Sequence, residues 1–197
     1  VNHHADHPGF AGVTGLLVGL IMSLTGGAAA RLAADLTSVS TADRVVDVGC
    51  GPGTAVREAG RRGARVVGVD PAPVMLRLAR TLTPDRAALT WVEGAAEDLR
   101  ERDGSATVVW TLAAVHHWKD VTAGLAEIKR VLAPGGRFLA IERRTYPGAT
   151  GLAGHGWTAR QAESFAAQCL AAGFKDVRVE NHTPGRRALV VVQAVRP

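Results

Sequence analysis

The stretch from Arg44 to Gly60, RVVDVGCGPGTAVREAG, allows few folds. Val45, Val46 and Val48 make an apolar, β-branched run suited to a short enclosed strand. Asp47 breaks that run with a charge that an ordinary core strand excludes. Gly49, Gly51 and Gly53 follow within five positions; they permit a tight turn and a close approach of backbone to a ligand. From Thr54 the apolar spacing becomes helical. Strand, glycine turn and helix form one unit whose turn can hold a nucleotide-like molecule.

The rest of the chain repeats that alternation. ARVVGVDP (64–71), LTWVEG (89–94), ATVVWTL (106–112) and GRFLAIE (136–142) read as strands two to five. VTAGLAEIKRVLA (121–133) reads as a helix ahead of Pro134-Gly135-Gly136. Such alternation predicts an α/β fold, a mostly parallel sheet with helices on both faces. After residue 157 the pattern changes: Thr158 with Gln161 makes a capping box for a helix running toward Gly173. DVRVENH (176–182) and RALVVVQAV (187–195) are then separated only by TPGR, so they must pair as an antiparallel hairpin.

At 197 residues the chain fits one domain with a full core. Its net charge is +5 and its pI about 10.0, yet twenty of the twenty-three cations are scattered arginines. With no block of like charges, that basicity does not mark a nucleic-acid partner. Cys50 and Cys169 suit neither a disulfide framework nor a metal site, which favours a reducing, cytoplasmic setting. Residues 10–30 carry no charge over a length that could span a bilayer. Five glycines and three hydroxyl residues dilute them, and no basic cluster precedes them. The expectation is no membrane span but an N-terminal helical cap, residues 1–40, over a domain of residues 41–197. His3, His4 and His7 lack a thiol or carboxylate arrangement and read as a frayed terminus; no metal is expected.

Two ligands compete for the glycine turn. A dinucleotide calls for Gly-x-Gly-x-x-Gly with a pyrophosphate on the helix N-terminus. Here the sixth position is Thr54, Pro52 stiffens the turn, and Asp47, two residues before the first glycine, would oppose a pyrophosphate. An ammonium would welcome that charge. Asp70 ends strand two at the position from which a carboxylate holds both ribose hydroxyls. An adenosine ribose with a cationic tail and no phosphate describes S-adenosylmethionine. The structural alternative for both acids is strand-end capping.

VVDVGCGPGT, VVGVDPAPVML, GAAEDL, AVHHWKD and EIKRVLAPGGRF stand in an order and spacing that resemble the class I S-adenosylmethionine-dependent methyltransferases of the small-molecule type, a group that includes the ubiquinone and menaquinone C-methyltransferases. The resemblance covers residues 44–142 and implies a Rossmann-like, seven-stranded, mostly parallel sheet of order 3-2-1-4-5-7-6, with the last strand antiparallel. It places the cofactor across the carboxyl ends of strands one to four. The cofactor residues so implied are Asp47, Gly49, Cys50, Gly51, Gly53, Thr54, Asp70, Pro71, Met75, Ala95, Ala96, Glu97, Thr111 and Leu112. The chain departs from the family at Gly94-Ala95-Ala96-Glu97, where an Asp commonly stands near the adenine amino group; adenine recognition then falls to backbone around Ala95 and Ala96 or to another side chain.

Methyl transfer from a sulfonium needs mainly positioning and water exclusion, and a base only where the acceptor loses a proton. His117, after strand four, is the first choice of base, with His116, His155 and Glu142 as the other candidates. Structural packing accounts for His116 and His117 equally well, and His155 and His182 also read as surface residues. Trp118, Tyr146 and Trp157 could stack on a flat or pyranose ring, and Arg143 or Arg144 could meet an anion. The strand-four segment TLAAVHHW lacks the Asn/Asp-Pro-Pro-aromatic pattern of base-flipping methyltransferases. The expected reaction is methylation of a hydroxyl on a small molecule, a sugar or other polyhydroxylated metabolite ahead of a phenol or quinone. The alternatives are C-methylation of a quinone or lipid-like acceptor, a nicotinamide-dependent dehydrogenase-type domain, and a noncatalytic cofactor-binding module. A homodimer is left open.

Overall fold

A computed structural model describes residues 26–83, 88–150, 155–185 and 187–197. The first part of the predicted apolar segment, residues 10–25, and His3, His4 and His7 lie outside the described residues. The elements follow as α1 (Gly27–Leu36), β1 (Arg44–Val48), α2 (Thr54–Arg61), β2 (Arg65–Asp70), α3 (Pro73–Thr81), β3 (Leu89–Glu93) and β4 (Ala106–Leu112). A 3-10 turn (Val115–His117) leads to α4 (Val121–Val131), β5 (Leu132–Arg143), α5 (Ala159–Ala171), β6 (Lys175–His182) and β7 (Leu189–Val195).

The seven strands form one sheet in the order β3-β2-β1-β4-β5-β7-β6. β1 pairs in parallel with β2 and β4, β2 with β3, and β4 with β5. β7 runs antiparallel to both neighbours, β5 and β6. The sequence-based order and hairpin are therefore what the structure shows. The capping box is also formed: Gln161 N–H donates to Thr158 Oγ1 at 3.3 Å, and Thr158 N–H to Gln161 Oε1 at 2.9 Å.

Because strand side chains alternate, the central strands feed two separate cores. Val46, Val48, Val109 and Phe138 pack toward α4 and α5 with Leu125, Ile128 and Phe165. Val45, Val66, Val108, Trp110 and Ile141 pack toward α1 and α2 with Ala30, Ala33, Val56 and Ala59. Each buried Val, Leu or Ile contributes about 1.5–3 kcal/mol on leaving water. Small residues on α1 and α2 bring those helices close to the sheet. Trp110 Nε1–H donates to Thr37 Oγ1 at 3.1 Å, which fixes the C-terminal end of α1 to β4. The described part of the expected cap is thus also part of the core. Among the described residues no helix is long and apolar enough to cross a membrane.

Several element boundaries differ from expectation. α4 stops at Val131 rather than Ala133, and β5 begins at Leu132 rather than Gly136. Pro134 cannot continue a helix. Gly135 takes φ 74 and donates its N–H to Arg196 O at 2.9 Å, so the chain passes straight into the sheet. The irregular start leaves a register shift between Ala106 and Val108. β7 begins at Leu189, two residues later than expected.

Candidate functional site

The glycine turn is held from β2. Gly49 and Cys50 N–H both donate to Val69 O, at 2.8 and 3.0 Å. Asp70 closes it from the side: Oδ2 accepts Gly51 N–H at 2.8 Å and Oδ1 accepts Ala72 N–H at 2.9 Å. Gly49 has φ +75, and a Cβ there would stand 2.4 Å from Ala114 Cβ. Both the left-handed backbone and the approach of the loop after β4 demand glycine at this position. At Gly53 the ring of Trp91 occupies the corresponding space.

Asp47 sits behind this turn, 1% exposed, and its Oδ1 has no hydrogen-bond partner. Burial, and then the neighbouring charge of Asp70, push its pKa up to about 7. An orphaned buried carboxylate oxygen costs stability unless a ligand satisfies it. Asp70 is also raised, by burial, although the two backbone N–H groups on it work in the opposite direction.

A cleft of about 470 Å³ opens beside Asp47, between the glycine turn, the start of α1 and the carboxyl ends of β4 and β5. Of the expected site residues, Asp47, Gly49, Cys50, Thr54, Leu112 and Glu142 line it. Leu112 faces it and Thr111 does not, because consecutive strand residues point to opposite sides; Thr111 is fully buried with its hydroxyl unpartnered. Gly51 and Gly53 shape the turn without lining the cleft. Asp70, Pro71, Met75, Ala95, Ala96 and Glu97 lie on the β2–β3 side, outside it. Met75 and Ala96 are core residues there. The Glu97 carboxylate has a structural occupation: Oε1 accepts the N–H groups of Lys119 and Asp120 at 2.7 and 3.0 Å, steadying the entry to α4.

His116, His117 and His155 stand apart from the cleft lining, as a cluster. The His116 ring lies 4.0 Å from that of His117 and 5.8 Å from that of His155, centroid to centroid. His116 Nδ1 is 3.1 and 3.2 Å from the two oxygens of Glu142, and Val115 N–H donates to Glu142 Oε1 at 3.1 Å. An ionised carboxylate only accepts, so Nδ1 carries the proton and Nε2 holds the lone pair of the neutral ring. Burial works to lower the His116 pKa, but the hydrogen bond to Glu142 and its charge outweigh it, and the net shift is upward. The pairing with Glu142 thus falls to His116 and not to His117, the first choice from sequence. Glu142, 1% exposed, is the residue shared by the cleft wall and the histidine cluster.

The sequence reading missed Ala28 and Ala29 of α1 as specific cleft residues, and also Pro184, Gly185 and Arg187 between β6 and β7. A signal for the second group existed. In a sheet where β7 runs antiparallel to β5, the first residues of β7 must lie beside the last of β5.

Residues 46–140 match the family described as the methyltransferase domain. An uncharacterised methyltransferase of Mycobacterium tuberculosis is 40% identical over 98 residues, 50% of this chain and 39% of that protein. The demethylmenaquinone methyltransferase of Thermus thermophilus is 36% identical over 126 residues, 62% of this chain and 57% of that protein. The chain therefore spans about half the length of such curated relatives. Among solved structures, one from a complex of the Haloferax volcanii Trm112 methyltransferase activator with a methyltransferase superposes with TM-score 0.75 at 23% identity, over 91% of this chain and 93% of that one. The [4+2]-cyclase SpnF superposes with TM-score 0.72 at 18% identity, over 98% and 86%, so the fold alone does not dictate the reaction. Taken with the glycine turn and its buried acid, the sequence matches decide the point: residues 46–140 are a methyltransferase domain of the class I S-adenosylmethionine-dependent type.

Proposed function

We propose that the protein methylates a hydroxylated ring of phenol or quinol type, seated in the cleft beside Asp47. The observation that carries this reading is the unpartnered Oδ1 of Asp47, buried beside the glycine turn at the cleft wall. That oxygen suits the cationic amino group of S-adenosylmethionine, which supplies a methyl group already activated on a sulfonium. In this reading Gly49, Cys50, Gly51, Gly53 and Thr54 shape the turn around the cofactor, and Asp70 meets the ribose while holding that turn. Pro71, Met75, Ala95, Ala96 and Glu97 form or back the adenine side, and Thr111 backs the strand end where Leu112 meets the ligand.

In this reading the acceptor's nucleophilic atom takes the methyl group and its proton leaves for the histidine cluster behind the cleft wall, where His116 offers Nε2 and Glu142, the residue shared with the wall, orients the ring through Nδ1. His117 and His155 flank that ring. Ala28, Ala29, Leu112, Ile141 and Leu189 give the cleft an apolar wall. A flat ring buries well against such a wall, whereas sugar hydroxyls would go unpaired. Proteins named demethylmenaquinone methyltransferase among the relatives support the same class of acceptor. Sugar O-methylation, the first expectation from sequence, therefore ranks second. In this reading α1, the described part of the expected cap of residues 1–40, closes one side of the acceptor space.

The test is calorimetry with S-adenosylhomocysteine and with NAD, followed by transfer of labelled methyl from S-adenosylmethionine to catechol, a naphthoquinol and a pyranose. Binding of the homocysteine product, none of NAD, and labelling of a ring acceptor are expected. NAD binding would overturn the cofactor assignment, and labelling of the pyranose alone would overturn the acceptor class.

A further inference from the structure

We propose that the acceptor carries a carboxylate or phosphate, held at the cleft mouth by Arg143 and Arg187. The inference rests on the methyl-transfer reading of the cleft and narrows it to anionic acceptors.

Arg143 is the last residue of β5 and pairs across the sheet with Leu189, the first of β7. Arg144 N–H donates to Ala188 O at 2.9 Å, so the pairing continues back toward the turn. Arg187, two residues before Leu189, comes to the same face as Arg143, and both line the cleft together with Leu189. Diagonal neighbours in an antiparallel pair lie about 7–8 Å apart, within reach of long side chains. Arg144, the other cation considered from sequence, falls on the opposite parity and is absent from the cleft wall.

The charges lining the cleft are formally balanced, two acids and two arginines, but they are unevenly placed. The acids are Asp47, at the deep end, and Glu142, whose carboxylate is engaged by His116 and Val115 N–H. Among the described residues no carboxylate forms an ion pair with Arg187, which is exposed at the mouth. Two arginines on one face of the cleft, with an apolar wall between them and Asp47, match an apolar molecule with an anionic end. Planar guanidinium forks suit carboxylate and phosphate oxygens.

The carboxylate of the cofactor's own methionine is the competing source of the same chemistry, and the experiment separates the two. With wild type and Arg187→Gln, S-adenosylhomocysteine is titrated first. The product-saturated proteins are then titrated with two matched probes, 4-hydroxybenzoate and 4-hydroxybenzamide. Product affinity within about twofold in the variant is expected, with 4-hydroxybenzoate binding wild type at least tenfold more tightly than the amide and losing that advantage in the variant. Equal binding of the two probes, or no binding of the benzoate, would overturn the proposal. A variant that loses product affinity would assign the pair to the cofactor instead. Failure of wild type to bind the product would count against the methyl-transfer reading itself.

Discussion

His116 Nδ1 lies 3.1 Å from Glu142 Oε2, a pairing that joins the loop after β4 to the end of β5. It sets both the tautomer of the ring and its basicity, since the upward pKa shift comes from Glu142 acting against burial. A base of this kind works only when deprotonated. Turnover should therefore rise with pH through an inflection above the ordinary histidine value of about 6.5. Glu142→Gln should move that inflection down and reduce kcat, and His116→Ala should lower kcat about a hundredfold or more with product affinity nearly unchanged. His117→Ala should cost much less. A pH–rate profile on the three variants decides it; an unmoved inflection in Glu142→Gln would remove His116 from the role. The same shift predicts that the pair stabilises the fold below about pH 6.5 and that this contribution fades as pH rises through the raised pKa.

Asp47 makes cofactor binding a proton-linked event. With a folded pKa of about 7 against an unfolded value near 3.9, it holds extra protons in the folded state between those limits. Its contribution to stability is thus complete below about pH 4 and lost as pH rises through 7. An ammonium placed on Oδ1 favours the ionised form, so S-adenosylhomocysteine should release a fraction of a proton at pH 7 and almost none at pH 9. Calorimetry in buffers of different ionisation enthalpy measures that number. Asp47→Asn should abolish the release and weaken binding about tenfold or more; identical enthalpies in all buffers with wild type would refute the linkage.

Asp70 carries a structural duty alongside its expected ribose contact, because both its oxygens accept turn N–H groups. Asp70→Ala orphans the Gly51 and Ala72 donors, and each buried orphan costs about 1–3 kcal/mol. The variant should lose product affinity and several degrees of Tm together. Asp70→Asn, which keeps one acceptor, should fall between the two. A native Tm in the Ala variant would mean that the turn does not depend on this carboxylate.

Gly49→Ala combines two penalties: φ +75, worth about 1–2 kcal/mol for an L residue, and the contact with Ala114 Cβ. Adding Ala114→Gly removes the contact and leaves the backbone penalty. The double variant should therefore unfold at a higher denaturant concentration than Gly49→Ala alone, yet a lower one than wild type. If the second change recovers nothing, the close approach of the two loops is not what demands glycine.

Local pattern alone determined the elements. β-Branched runs, helical spacing, the glycine turn and the Thr158–Gln161 box each depend on residues a few positions apart, and physical periodicity writes them directly into the chain. Asp47 was legible for the same reason, as a charge inside an apolar strand. The family resemblance supplied the strand order. Alternation separates Thr111 from Leu112 and Arg143 from Arg144, but does not say which face of the sheet borders the ligand. Tertiary packing decides that, by setting α1 and α2 against one face and α4 and α5 against the other. Long-range partners lay equally beyond reach. Glu142 is 26 residues from His116, and Glu97 is 22 residues from the Lys119 N–H that it accepts. Each carboxylate took the donor that the folded chain brought within about 3 Å, and for Glu142, whose charge is buried, such a match is obligatory where it comes to rest.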